Sequence, residues 1–132
     1  MKTSPKILLV EDNEDDCFLT ERVLAKAGLK TVYNAVNGRV AIEYLEGLGA
    51  YGDRIHHPLP DIVLLDLKLP EISGHQVLEW IDTRPDLSSC RVYILSSSGE
   101  ARDRTRAAEA HAAGYFVKPL TEKNLQEILG QS

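Results

Sequence analysis

Five short apolar runs, each followed by a stretch of helical periodicity, predict an α/β fold: five βα units around a parallel sheet with helices on both faces. Two observations carry the prediction. The strongest runs, Lys6-Ile7-Leu8-Leu9-Val10, Ile62-Val63-Leu64-Leu65 and Val92-Tyr93-Ile94-Leu95, are nearly continuous instead of alternating, as strands buried on both sides require. The segments between them repeat apolar residues three and four positions apart, the spacing of one helix face. The 132 residues suit one domain, positions 1–132, because domains cluster near ~100 to 150 residues. No attached effector module is expected. Folding should leave about 7,000 Å² accessible out of about 21,000 Å², enough burial for a core without staples.

The elements follow in order. After the first strand, Cys17, Thr20, Leu24 and Ala27 recur at helical spacing until Gly28 stops the helix. Thr31 to Ala35 reads as the second strand, and Asn37 can N-cap a helix whose Ala41, Tyr44, Leu45 and Leu48 share a face. Gly47 to Pro60, with three glycines and two prolines, is a long irregular loop. The third strand, Ile62 to Leu65, leads to a helix marked by Val77, Leu78 and Ile81 and ended before Pro85. The fourth strand precedes an Ala-rich helix from about Glu100 to Ala113, with Gly114 as its C-cap. Tyr115-Phe116-Val117 is the fifth strand, and Thr121 caps a last helix carrying Leu125, Ile128 and Leu129.

Composition excludes several function classes. Fifteen Lys and Arg against 20 Asp and Glu give a net charge of −5, the wrong sign for neutralising nucleic-acid phosphates or anionic lipid. Cys17 and Cys90 form neither a CxxC motif nor a dense secreted pattern, which suits a reducing cytoplasm. No run of ~18 apolar residues and no apolar leader near Met1 to Lys6 occurs, so no membrane partner or export is expected.

Open parallel sheets carry their chemistry at the carboxyl ends of the strands. Glu11 and Asp12 follow the first strand, Asp66 the third, Ser96 the fourth, and Lys118-Pro119 the fifth. Three carboxylates should therefore meet at one edge. At ~5 Å and an effective dielectric of ~20, each pair repels by roughly 3 kcal/mol, so the cluster calls for a cation. Hard oxygen ligands open to water suit Mg²⁺ or Mn²⁺, with Mg²⁺ the ion expected, and no Cys/His grouping suggests zinc. With Lys118 and the Ser96 hydroxyl alongside, the set suits receipt of a phosphoryl group, with Asp66 as nucleophile. Glu14, Asp15 and Asp16 read instead as acids favouring the positive end of a helix.

On these residues the chain resembles the receiver domains of bacterial two-component response regulators. The resemblance rests on Ile7-Leu8-Leu9-Val10-Glu11-Asp12, on Leu64-Leu65-Asp66-Leu67-Lys68-Leu69-Pro70 with Gly74, on Leu95-Ser96-Ser97, and on Gly114-Tyr115-Phe116-Val117-Lys118-Pro119. It implies a flavodoxin-like (βα)5 doubly wound sheet with strands in the order 2-1-3-4-5. It implies Asp66 as phospho-acceptor, Mg²⁺ held by Asp12, Asp66, the Lys68 carbonyl and, often through water, Glu11, and Lys118 and Ser96 touching the phosphoryl group. Ser96 and Tyr115 would form the switch, and Lys118-Pro119 would be cis. The function implied is a phosphorylation-controlled signalling switch served by a sensor histidine kinase, not a turnover enzyme, although it assists its own phosphorylation and dephosphorylation.

Departures are modest. Ser97 stands where the family usually has Ala or Gly, Lys68 occupies a variable position two residues past the acceptor, and Ser96 replaces the more frequent threonine. The loop Tyr51 to Pro60 is longer than usual and is similar to that of stand-alone receivers serving bacterial phytochrome-type kinases.

Other readings fit less well. A Mg²⁺-dependent phosphatase of the haloacid-dehalogenase type needs an acid two residues after its nucleophile, where this chain has Lys68. Flavin binding needs a hydroxyl-rich loop where Glu11 and Asp12 stand. Gly47-Leu48-Gly49-Ala50-Tyr51-Gly52 spells GxGxxG but follows a helix and precedes Pro58 and Pro60. A calcium loop from Asp12 fails at Cys17 and Val23. His56, His57, His75 and His111 lack ligand spacing, and Trp80 and both cysteines read as ordinary packing residues. Output is expected from the face of the fourth and fifth strands, where Arg102, Asp103, Arg104, Arg106 and Glu109 form a mixed-charge stripe suited to a homodimer or kinase contact.

Overall fold

A computed structural model describes residues 4–130. Strands β1 (Ile7–Val10), β2 (Thr31–Ala35), β3 (Ile62–Leu65), β4 (Arg91–Ser96) and β5 (Gly114–Val117) alternate with helices α1 (Glu14–Lys26), α2 (Gly38–Glu46), α3 (Gly74–Asp82), α4 (Ala101–Glu109) and α5 (Glu122–Gly130). The strands are all parallel, in the order β2-β1-β3-β4-β5. The accessible surface is 7406 Å², close to the about 7,000 Å² expected for a compact chain of this length.

Alternation along each strand divides the core in two. Leu8, Val10, Val63, Leu65, Val92 and Ile94 face α2, α3 and α4, through residues such as Tyr44, Val77 and Ala107. Ile7, Leu9, Ile62, Leu64, Tyr93 and Leu95 face α1 and α5, through Leu24, Leu125 and Ile128. Both faces are therefore covered, which is why the strands could be read as continuous apolar runs.

The starts of α1, α2, α3 and α5 are set by side chains that satisfy free N–H groups. Asn13 and Asn37 accept from Asp16 and Val40, and Ser73 forms a reciprocal capping box with Gln76. At α5, the Thr121 hydroxyl accepts from the Asn124 N–H at 3.0 Å. Several ends differ from the sequence expectation. Ala27 is an exposed C-cap, and Leu48 lies past α2 and is exposed. α4 stops at Glu109, where His111 takes a left-handed φ of 63°, and Gly114 opens β5 instead of capping the helix. The glycine serves packing: a Cβ there would lie 2.9 Å from the Tyr93 ring.

The long loop is ordered by its own contacts. It holds a 3-10 turn at Gly49–Gly52, and Tyr33, Tyr44, Tyr51 and His57 stack and tilt together with ring centroids 5.1–6.1 Å apart. Arg54 donates to the carbonyls of Tyr44, Leu45 and His57, closing the end of α2. His57 is half-buried, a boundary residue whose ring is part of this cluster.

Candidate functional site

The parallel register aligns the strand ends. The Glu11 N–H donates to Ala35 O, that of Asp66 to Val10 O, and that of Lys118 to Ser96 O. Each of these residues thus leaves the sheet at one level, and the side chains meet above the carboxyl edge. Gly74 permits the tight return after Asp66: a Cβ at this position would lie 2.0 Å from the Asp66 carbonyl oxygen.

Carboxylate oxygens of Glu11, Asp12 and Asp66 lie within 4.8 Å of one another. Glu11 and Asp66 are each 5% exposed, and Asp12 is open to solvent. Lys118 Nζ reaches into the cluster, 2.6 Å from Glu11 Oε1, 2.8 Å from Asp16 Oδ2 and 3.1 Å from Asp66 Oδ2. The Lys68 N–H donates to Asp66 Oδ1 at 3.3 Å.

The electrostatics follow from burial and pairing. Burial pushes the Glu11 carboxyl up to about 7, opposed by the bond from Lys118 and reinforced by the nearby charge of Asp66. For Lys118, burial works against the charge, but bonds to Asp16 and Glu11 and the field of Asp66 outweigh it and hold the ammonium above the ordinary lysine range. One cation thus faces three carboxylates, with Asp12 alongside, and that surplus of negative oxygen, with one side open to water, fits a hard divalent cation.

Ser96 is fully buried, and its Oγ accepts the Ser98 N–H at 3.2 Å. The Tyr115 hydroxyl donates to the Ser98 carbonyl, and the Arg104 guanidinium lies 4.7 Å from the centre of the Tyr115 ring. The Lys118–Pro119 bond is cis. Glu11, Asp12, Asp66 and Lys118 therefore come together as the sequence implied, with Ser96 and Tyr115 joined through Ser98 on the adjoining loop.

Asp16 has a second role beyond the helix end where the sequence places it. It does stand in the first turn of α1, but the Asn13 cap orients that turn so that Asp16 bonds Lys118. Burial raises both thiols, Cys90 to about 11, so neither is a nucleophile at neutral pH. The mixed-charge stripe of α4 is largely paired within the chain: Arg106 is bidentate to Glu79, Arg102 pairs with Glu100, and Arg104 covers Tyr115.

Residues 7–130 match the family model for the response regulator receiver domain. The chain belongs to this family. As a receiver domain it is 36% identical over 124 residues to a probable methanogenesis regulatory protein, FilR2, of Methanothrix harundinacea (strain 6Ac), covering 93% of this chain and 77% of that protein. It is 33% identical to the response regulator Rcp1 of Synechocystis sp., covering 93% and 82%, and the solved Mn²⁺-bound form of Rcp1 superposes with a TM-score of 0.79 over 97% of this receiver and 91% of that chain. The bacteriophytochrome response regulator AtBRR superposes with a TM-score of 0.83 at 35% identity, over 98% and 92%. Receiver domains of this family act in two-component signalling and are phosphorylated on aspartate, and they bind divalent metal. Among the described residues no helix is long and apolar enough to cross a membrane.

Proposed function

We propose that Asp66 accepts a phosphoryl group from a phosphohistidine of a sensor histidine kinase, with Mg²⁺ held by Glu11, Asp12, Asp66 and the Lys68 carbonyl. The observation that carries this is Lys118 Nζ standing 3.1 Å from Asp66 Oδ2 inside the carboxylate cluster. An Asp66 carboxylate oxygen attacks phosphorus, the phosphorus–nitrogen bond of the donor breaks, and the bonding pair returns to the imidazole. Lys118 and the Lys68 N–H orient the attacking carboxylate, and Lys118 and a reoriented Ser96 would bond the new phosphoryl oxygens. Mg²⁺, when bound, would supply neutralising charge for those oxygens.

The domain acts as a switch, not a turnover enzyme, and it assists its own phosphorylation and dephosphorylation. Phe18 and Leu19, 64% and 47% exposed on α1, and a 240 Å³ groove bordered by Leu19, Lys118 and Pro119 offer apolar surface beside Lys118 for a kinase. A phytochrome-type sensor is the finer reading, supported by the likeness to AtBRR. The setting is cytoplasmic, and output runs through the α4–β5 face, to a partner or to a second copy. Asp66→Asn should abolish hydroxylamine-sensitive phosphate incorporation and leave the fold intact; incorporation at the wild-type rate would overturn the assignment.

A further inference from the structure

α3 and α4 are tied by a buried polar link. His75, the second residue of α3, is 7% exposed. Its Nε2 lies 3.0 Å from Asp103 Oδ1 in the first turn of α4. A carboxylate only accepts, so that nitrogen carries the proton. The other ring nitrogen, Nδ1, is buried without a partner. An imidazole kept out of water for one bond represents a cost that its single contact must offset.

The second oxygen of Asp103 accepts from the Ser98 hydroxyl at 2.6 Å. Both bonds favour the ionised carboxylate and hold Asp103 below the usual range, Ser98 first and His75 second. Ser98 is thereby a junction. Its side chain is bound to Asp103, its N–H to Ser96 Oγ, and its carbonyl to the Tyr115 hydroxyl. At the other end of the link, α3 begins at Gly74, directly against the Asp66 carbonyl. The loop that follows Ser96 is thus fastened to the helix that starts at the acceptor.

Resting on the reading of Asp66 as acceptor, we propose that Asp103, held by His75, is a positioning residue that latches the β4–α4 loop in the arrangement where the Ser98 N–H occupies Ser96 Oγ. Turning Ser96 toward a phosphoryl oxygen removes the acceptor of that N–H, so the loop must shift. The Asp103–Ser98 bond resists the shift. The latch therefore biases the domain toward its unphosphorylated arrangement, and loosening it makes the switched state easier to reach.

The test uses beryllofluoride as a phosphoryl mimic in excess Mg²⁺, with Mg²⁺ alone titrated separately. His75→Leu, Asp103→Ala and Ser98→Ala should each bind beryllofluoride about tenfold more tightly, within the roughly two- to thirtyfold span typical of residues that modulate coupling. Mg²⁺ affinity should change little, because none of the three faces the carboxylates. His75→Gln, which restores a donor to Asp103, should return the affinity toward wild type, a rescue that packing alone would not give. Should His75→Leu fail to fold, the other two variants carry the test. Equal or weaker beryllofluoride binding in Asp103→Ala and Ser98→Ala, with normal binding in the wild type, overturns the latch. No binding by the wild type overturns the acceptor reading, and the latch falls with it.

Discussion

Lys118 Nζ stands 2.6 Å from Glu11 Oε1, closer than its 3.1 Å to Asp66 Oδ2. The ammonium is therefore divided between Glu11 and the proposed acceptor, Asp66. A divalent cation drawing Glu11 toward itself would release part of Lys118 for the phosphoryl group. Protons and metal compete for the same oxygen, and pH becomes a lever on the site.

With the Glu11 carboxyl raised to about 7, Mg²⁺ affinity should climb between pH 6 and 8, at most ~tenfold per pH unit for one displaced proton. Calorimetric titration across that range checks this, and Glu11→Gln should flatten the slope.

The same shift fixes the sign of the metal-free stability profile. The unfolded glutamate loses its proton near 4.5, whereas the folded one keeps it to about 7. The native state binds more protons in that window, so stability in a chelator should fall as pH rises through it. Urea midpoints at pH 5 and pH 8, with and without Mg²⁺, would reveal the trend and its reversal by metal.

Lys118→Ala removes the cation shared by Glu11, Asp16 and Asp66. Leaving buried carboxylates unpaired should cost about 3 kcal/mol without metal and less with Mg²⁺. Lys118→Ala and Ser96→Ala should both blunt the conformational response more than they reduce phosphate loading, read as amide shifts around Tyr115 after treatment with a small phosphodonor. An undiminished response in both would remove these residues from the switch.

Gly74→Ala tests how the loop beyond Asp66 is built. The added Cβ meets a backbone oxygen at 2.0 Å, so the chain must move. A loss of about 3 kcal/mol is expected, together with weaker Mg²⁺ binding as Asp66 is displaced. A thermal midpoint equal to wild type would show that the return is less tight than described.

Arg54→Ala should free the long loop and leave phosphorylation of Asp66 unchanged. Losing the bonds to Tyr44 O, Leu45 O and His57 O should cost roughly 2 kcal/mol and expose the chain near Ile55 to proteases. Undiminished protease resistance would mean that the aromatic cluster alone fastens the loop.

Much of this was readable in advance, for a physical reason. Strands buried on both faces have continuous apolar runs, and groups just past their ends must meet, so Glu11, Asp12, Asp66 and Lys118 were found from position alone. Asp16 was missed because an acid in a first helical turn already has a local explanation, and only the orientation of α1 brings it to Lys118. The bond between His75 and Asp103 joins residues 28 apart on different helices, a pairing that no periodicity announces. The end of α4 was misplaced because the chain bends left-handed at His111, whereas composition pointed to Gly114.

The tyrosine-lined loop joins α2 to the start of β3, and Asp66 follows that strand's end. A four-residue strand of ~3.3 Å rise per residue puts the two about 13 Å apart along the chain direction, at opposite rims of the sheet. Changes in loop length or residue choice can therefore accumulate at one rim without disturbing the register that assembles the other. Divergence of this loop is uncoupled from the carboxylate edge, and a fluorophore or affinity handle grafted at Ile55 would exploit that separation.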